Sequence, residues 1–167
     1  MWEILIPDLY VKGITNIPLN QLLGWGTKGL IVDFDNTVTE WNATMVSAEV
    51  GNWIKAVREL GIMMCLTSNN RGPHIETIAS QLGVAAVTGA GKPRRGGLRR
   101  ALAILGTTPA ETVVIGDQIF TDVLAGHRMG MRVILVQPLS RREFLGTRLM
   151  RVGERLLLKR LALKEDW

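Results

Sequence analysis

From residue 30 onward the chain alternates short apolar runs with longer stretches in which apolar residues recur every three or four positions. The first run, 30–34, is apolar and β-branched around Asp33 and breaks off at Asp35-Asn36-Thr37, which predicts a strand followed by a turn. Ser47 then stands ahead of Val50, Ile54, Val57 and Leu60, with Gly61 beyond: an N-cap, an apolar helix face and a stop. The pattern repeats. Residues 62–66 predict a second strand ending at Thr67-Ser68-Asn69-Asn70, and 73–82 a helix opened by Pro73 and stopped by Gly83. Residues 84–87 predict a third strand, followed by a loop from Thr88 to Pro93. A helix over 98–105 ends at Gly106, and a fourth strand over 112–115 ends at Gly116-Asp117. A helix over 120–128 and a fifth strand over 132–136 complete the series.

Strands joined by helical crossovers give an α/β fold, a three-layer Rossmann-like parallel sheet of about five strands with helices on both faces. Burial on both faces explains why these strands are continuously apolar and do not alternate. At 167 residues the chain is expected to form one domain over 1–167. Its core would span about 29–137, with an N-terminal flank 1–28 and a basic helical tail 139–167. The flank carries Trp2, Tyr10 and Trp25 and is expected to pack on the core; Trp53 shares a helix face with Val50 and Val57 and belongs inside.

Composition narrows the setting. The chain is 47% hydrophobic and 21% charged, which excludes disorder as the default state. Its single cysteine, Cys65, lies in an apolar run and has no partner for a disulfide, as suits a reducing, cytoplasmic location. No secretory signal and no membrane-spanning apolar stretch is apparent. The net charge of +5 is uneven. Residues 141–164 hold eight Lys or Arg against two Glu, whereas the remainder holds twelve basic and thirteen acidic side chains. A uniformly basic nucleic-acid reader is therefore a poor match, and the few aromatic residues are not interleaved with a basic face. Leu145, Leu149, Val152 and Leu156 recur at helical spacing among Arg148, Arg151, Arg155, Lys159 and Arg160. Such a helix either lies peripherally on an anionic membrane or packs its leucines on the core.

In open parallel sheets, ligands bind beyond the carboxyl ends of the strands. Asp33, Asp35, Ser68, Lys92 and Asp117 all fall at or just after those ends. One of the two carboxylates closing the first strand can attack while the other handles a proton. Three clustered carboxylates call for a hard divalent cation with oxygen ligands. Lys92 supplies positive charge for a phosphoryl group, and Ser68 a hydroxyl with backbone N–H groups nearby.

This ordered set resembles the haloacid dehalogenase (HAD) superfamily over residues 29–137. The motifs appear as Asp33-Phe34-Asp35-Asn36-Thr37, as Thr67-Ser68-Asn69-Asn70, as Lys92-Pro93, and as Gly116-Asp117 followed by Asp122. The resemblance implies that Asp33 attacks phosphorus and that Asp35 is the general acid/base. It further implies phosphate contacts from Ser68, Asn69 and Lys92, and Mg²⁺ held by Asp33, Asp35 (through its backbone carbonyl) and Asp117, with Thr37 and Asp122 in support. Asn36 replaces the glycine of many members, and asparagine tolerates left-handed backbone. The motifs are similar to those of the YqeG-like phosphatases of subfamily IIIA, which are related to phosphatidylglycerophosphate phosphatases.

Members of the superfamily usually insert a cap domain after the first motif or before the third. Here those gaps, 38–46 and 88–91, are too short for one, so the core is expected to be capless and its site open. An open site suits a large or surface-held phosphomonoester, with phosphatidylglycerophosphate as the leading expectation. A soluble nucleotide, sugar or phosphoprotein substrate and a non-catalytic binding module are the alternatives. Arg94, Arg95, Arg99 and Arg100 either gather anions at the mouth or form a solvated face. Arg71 is placed to reach phosphate, Trp41 either lines the entrance or packs inside, and His74 and His127 receive no chemistry.

Overall fold

The sheet begins earlier in the chain than the apolar pattern predicts. The computed structural model describes residues 3–40 and 45–140, so Trp2, Trp41 and the basic tail 141–164 lie outside the described residues. Its elements are β1 (Leu9–Val11), α1 (Leu19–Gly24), β2 (Gly29–Asp33), α2 (Ala48–Glu59), β3 (Met63–Thr67), α3 (Pro73–Leu82), β4 (Ala85–Val87), α4 (Gly96–Leu105), β5 (Thr112–Gly116), α5 (Leu124–Arg128) and β6 (Arg132–Val136). Every strand pairing is parallel, in the order β1-β6-β5-β2-β3-β4.

The five expected strands are present, and β1 adds a sixth from the N-terminal flank, with Leu9 opposite Ile134 and Val11 opposite Val136. It is three residues long and only half-buried, so no apolar run marks it. Its neighbourhood is tied down by polar contacts. Asp8 donates its backbone N–H to Val133 O (2.9 Å), and its carboxylate accepts from Val133 N (2.7 Å). His127 sits between Ile4 O (2.9 Å) and that same carboxylate (3.0 Å).

Alternation along each strand divides the interior in two. Leu30, Val32, Met64, Leu66, Val113, Ile115 and Ile134 face Leu22, Trp53, Ile54, Val57, Ile75 and Ile78 of α1, α2 and α3. On the other face Ile31, Cys65, Val114, Val133 and Leu135 meet Leu98, Ala101, Leu102 and Leu105 of α4 and Ala125 of α5. Fully burying a Leu or Ile side chain contributes roughly 1.5–3 kcal/mol, so these two layers hold the strand ends rigidly in register.

The helices begin and end for local reasons. Ser47 accepts from Val50 N at 3.3 Å and caps α2. Gly83 and Gly106 close α3 and α4 in left-handed backbone, φ 65° and 64°. The stretch expected as one helix over 120–128 differs: Ile119–Val123 winds as a π-helical turn, and α5 starts only after it. Among the described residues, no helix is long and apolar enough to cross a membrane.

Candidate active site

Asp33 ends β2, in register with Thr67 at the end of β3. Since β2 has β3 on one side and β5 on the other, the chain crosses over in opposite directions from it, the arrangement that opens a crevice at the strand ends. Gly116 ends β5 on the far side of that crevice, with Asp117 following. The turn after β2 folds back tightly. Val38 N donates to Phe34 O (3.1 Å), Asn36 N to Thr39 O (2.8 Å), and Asn36 takes φ 60°. Asparagine does adopt the left-handed geometry expected of it.

Asp33, Asp117 and Asp122 each offer a carboxylate oxygen, all within 4.8 Å of one another, and all three residues are buried. Lys92 reaches into this group from the loop after β4, its Nζ 2.6 Å from Asp33 Oδ1 and 2.6 Å from Asp122 Oδ1. Thr37 Oγ1 lies 3.5 Å from Asp117 Oδ1. Burial pushes the Asp33 carboxyl well above the usual carboxylate range; Lys92 pulls against this, while Asp122 and Asp117 reinforce it. For Lys92, burial alone would favour the neutral amine, but Asp122 and Asp33 override it and hold the ammonium well above the ordinary lysine value. With all three buried carboxylates ionised, one ammonium leaves an excess of negative charge. Hard oxygen donors at this spacing fit a divalent cation, whose charge would make up the deficit.

Asp122 owes its position to two local features. The π turn brings its N–H and that of Val123 onto Gln118 O (2.9 and 3.3 Å). Its Oδ2 accepts from Gln118 N (3.2 Å) and Thr121 Oγ1 (3.3 Å), which leaves Oδ1 for Lys92. Gly116 makes room, for a Cβ there would fall on the Asp122 side chain.

The second strand-end carboxylate has different company. Asp35 is half-buried, and its Oδ2 accepts from Ser68 Oγ (2.6 Å) and Asn70 Nδ2 (3.2 Å). Ser68 is fully buried, and its hydroxyl also accepts from Asn70 N (3.0 Å). Asn69 commits both ends of its amide to the Lys92 backbone, accepting from Lys92 N (2.8 Å) and donating to Lys92 O (3.1 Å). The loop after β3 therefore fixes the loop that carries Lys92. Gly97 lets α4 close on that loop, since a Cβ there would meet Ala90.

The HAD-hydrolase-like family model matches residues 89–138. The probable phosphatase YqeG of Bacillus subtilis (strain 168) is 35% identical over 159 residues, which span 95% of this chain and 92% of that protein. The chain belongs to the HAD superfamily, among its YqeG-like phosphatases. Phosphatidylglycerophosphate phosphatase 1, chloroplastic/mitochondrial, of Arabidopsis thaliana is 27% identical over 150 residues, covering 84% of this chain and 43% of that protein. Among solved structures, 3-deoxy-D-manno-octulosonate 8-phosphate phosphatase from Moraxella catarrhalis, in complex with magnesium ion, phosphate ion and KDO, aligns with TM-score 0.51 at 15% identity over 85% of this chain and 92% of that one. That likeness establishes the shared HAD fold.

In this HAD phosphatase the expected site residues gather as two groups, Asp33, Thr37, Lys92, Asp117 and Asp122 in one and Asp35 and Ser68 in the other, with Asn69 beside Ser68 in sequence and bonded to the Lys92 backbone. Sequence reasoning passed over Asn70 as a partner of Asp35, and Gly116 as the seat of Asp122, although both stand inside quoted motifs. The arginines after Lys92 separate. All four are exposed, but Arg100 donates to Thr88 O and Gly89 O (3.3 and 3.0 Å), whereas Arg94 and Arg95 make no side-chain hydrogen bond among the described residues. Arg71 lies against Gly89, where a Cβ would approach its Nε to 2.9 Å.

Proposed function

We propose that this chain is a magnesium-dependent phosphomonoester hydrolase that works through an aspartyl-phosphate on Asp33. The observation carrying the reading is the buried Asp33–Asp117–Asp122 group with Lys92 locked between two of its members. Asp33, Asp117 and the backbone carbonyl of Asp35, with Asp122 behind them, would hold Mg²⁺, which would supply positive charge for the phosphoryl oxygens. A carboxylate oxygen of Asp33 forms a bond to phosphorus as the ester P–O bond breaks, and Asp35 in its acid form gives its proton to the leaving alkoxide. Asp35 then takes a proton from water; the hydroxide attacks phosphorus and frees Asp33 and inorganic phosphate. The half-buried position of Asp35, against the burial of Asp33, suits a group that exchanges protons with solvent. Ser68 and Asn70 orient Asp35, Asn69 positions the loop bearing Lys92, and Lys92 neutralises charge developing on the phosphoryl group.

The substrate we favour is phosphatidylglycerophosphate. Two observations support it: the short connections 34–47 and 88–95 leave no room for a cap over the site, and the Arabidopsis relative is named for that substrate. The basic segment 141–164 would hold the enzyme at an anionic surface, each cation adding roughly 1 kcal/mol. The deciding experiment is phosphate release from phosphatidylglycerophosphate in mixed micelles, beside soluble phosphomonoesters, with D33N as blank. Preference for the lipid, abolished by EDTA and by D33N, supports the whole reading. Turnover of soluble esters alone keeps the mechanism and discards the lipid; turnover by D33N discards the mechanism.

A further inference from the structure

Arg94 and Arg95 follow Lys92 and Pro93 in sequence and lead into α4, while Arg128 ends α5, the helix entered through the turn that holds Asp122. These two segments meet at the surface. Pro93, Arg94, Arg95 and Arg128 line one open cleft of about 470 Å³, a size within the range of small-ligand sites. The cleft begins beside the active site, because Pro93 in its lining directly follows Lys92, whose ammonium lies 2.6 Å from Asp122.

All three arginines are exposed, and among the described residues none forms a salt bridge or a side-chain hydrogen bond. Of the other described arginines, Arg58 donates to Leu82 O, Arg100 to Thr88 O and Gly89 O, and Arg132 to Trp25 O, while Arg71 and Arg99 line no part of this cleft. Three unpaired guanidinium groups around one cavity repel one another, and an anion between them relieves that repulsion. The planar fork of guanidinium donors matches the oxygens of a phosphate group.

We propose that this cleft binds a second phosphate of the substrate, a phosphodiester carried beside the phosphomonoester that the active site cleaves. The proposal rests on the phosphomonoester reading of the Asp33 site. A diester is singly negative at every physiological pH, so it fills the cleft without a proton being lost or gained. A substrate that lacks it leaves the three cations unsatisfied and is bound less tightly. The diester has the same chemistry in a lipid headgroup and in a soluble molecule.

The test compares glycerophosphoglycerophosphate, which carries both groups and no acyl chains, with glycerol 3-phosphate, which carries the monoester alone. The ratio of their kcat/KM values is measured for the wild type and for R94E/R128E, and again with the diacyl lipid in anionic micelles. We expect the ratio to favour the diester-bearing compound in the wild type and to fall ~10-fold or more in the variant. A ratio that the substitutions leave unchanged overturns the subsite. So does a loss confined to the micelles, which would assign the arginines to surface attraction. A second arm needs no turnover: binding of glycerophosphoglycerol to D33N, followed by calorimetry at low salt. Binding that D33N/R94E/R128E has lost supports the cleft, and absent or charge-insensitive binding overturns it. A wild type that cleaves no phosphomonoester removes the catalytic reading, and this arm alone then decides the cleft.

Discussion

Lys92 Nζ stands 2.6 Å from Asp33 on β2 and 2.6 Å from Asp122 in the turn after β5. One ammonium, buried with both partners, thereby joins the two central strands across the crevice. Replacing it with methionine keeps the bulk and removes the charge, leaving carboxylates uncompensated in a low dielectric. We expect Lys92→Met to lose about 3–5 kcal/mol of stability in urea unfolding and ~10²-fold or more in kcat. Arginine should not rescue either quantity, because its broad fork cannot replace a compact ammonium between two oxygens.

Asp33→Asn is expected to fold and to lower turnover by roughly 10⁴-fold or more, measured under single-turnover conditions. It should also change how stability depends on pH. In the metal-free protein Asp33 binds its proton more tightly folded than unfolded, where its value is near 3.8. The folded state therefore holds more protons above that pH, and stability falls as pH rises from about 4. Thermal unfolding of the EDTA-treated wild type should show this decline, and D33N should show less of it.

Mg²⁺ should reverse that penalty. At a concentration 100 times its dissociation constant, a ligand specific to the folded state adds about 2.7 kcal/mol. The expected outcome is a rise in melting temperature with added Mg²⁺ in the wild type, much reduced in Asp117→Asn. An equal rise in both would place the cation elsewhere.

Gly116→Ala tests the seat of Asp122. Its backbone is not left-handed; the obstacle is the Asp122 side chain where the new methyl group must go. Such overpacking costs about 1–3 kcal/mol, and here it displaces a carboxylate bonded to Lys92. Loss of stability together with weaker Mg²⁺ dependence of turnover is the expected pair of results, read by unfolding and by metal titration.

Cys65 is fully buried in β3, and burial pushes its thiol up to about 12. A thiol-specific disulfide reagent at pH 8 should leave the folded protein unmodified and titrate one thiol in urea. Rapid reaction of the native protein would show that the β3 face opens readily.

Much of this was legible in the order of residues, for a physical reason. The central strands are buried on both faces, so each writes itself as a continuous apolar run, and each site residue stands where a run stops. Asp33, Ser68, Lys92 and Asp117 could be found that way. β1 could not, since three half-buried residues carry no periodicity. The π turn was likewise hidden: Ile119, Val123 and their neighbours fit a helical pattern, and only the carbonyl of Gln118 shows the ladder shifting. Nor does spacing reveal that Asp35 and Asp33 answer to different partners, because a tight turn separates two carboxylates that an extended strand would aim together. Arg128 joins Arg94 and Arg95 only in the folded chain, where the three line one cleft.

The pairing of β1 with β6 also decides where this chain tolerates being cut. A fragment starting at the first long apolar run would leave β6, four of whose five residues are buried, with its outer row of N–H and C=O groups bare. An open, apolar, unpaired strand is a template for other chains. By covering β6, β1 replaces a mostly buried five-residue edge with one of three half-buried residues, a shorter and less apolar template.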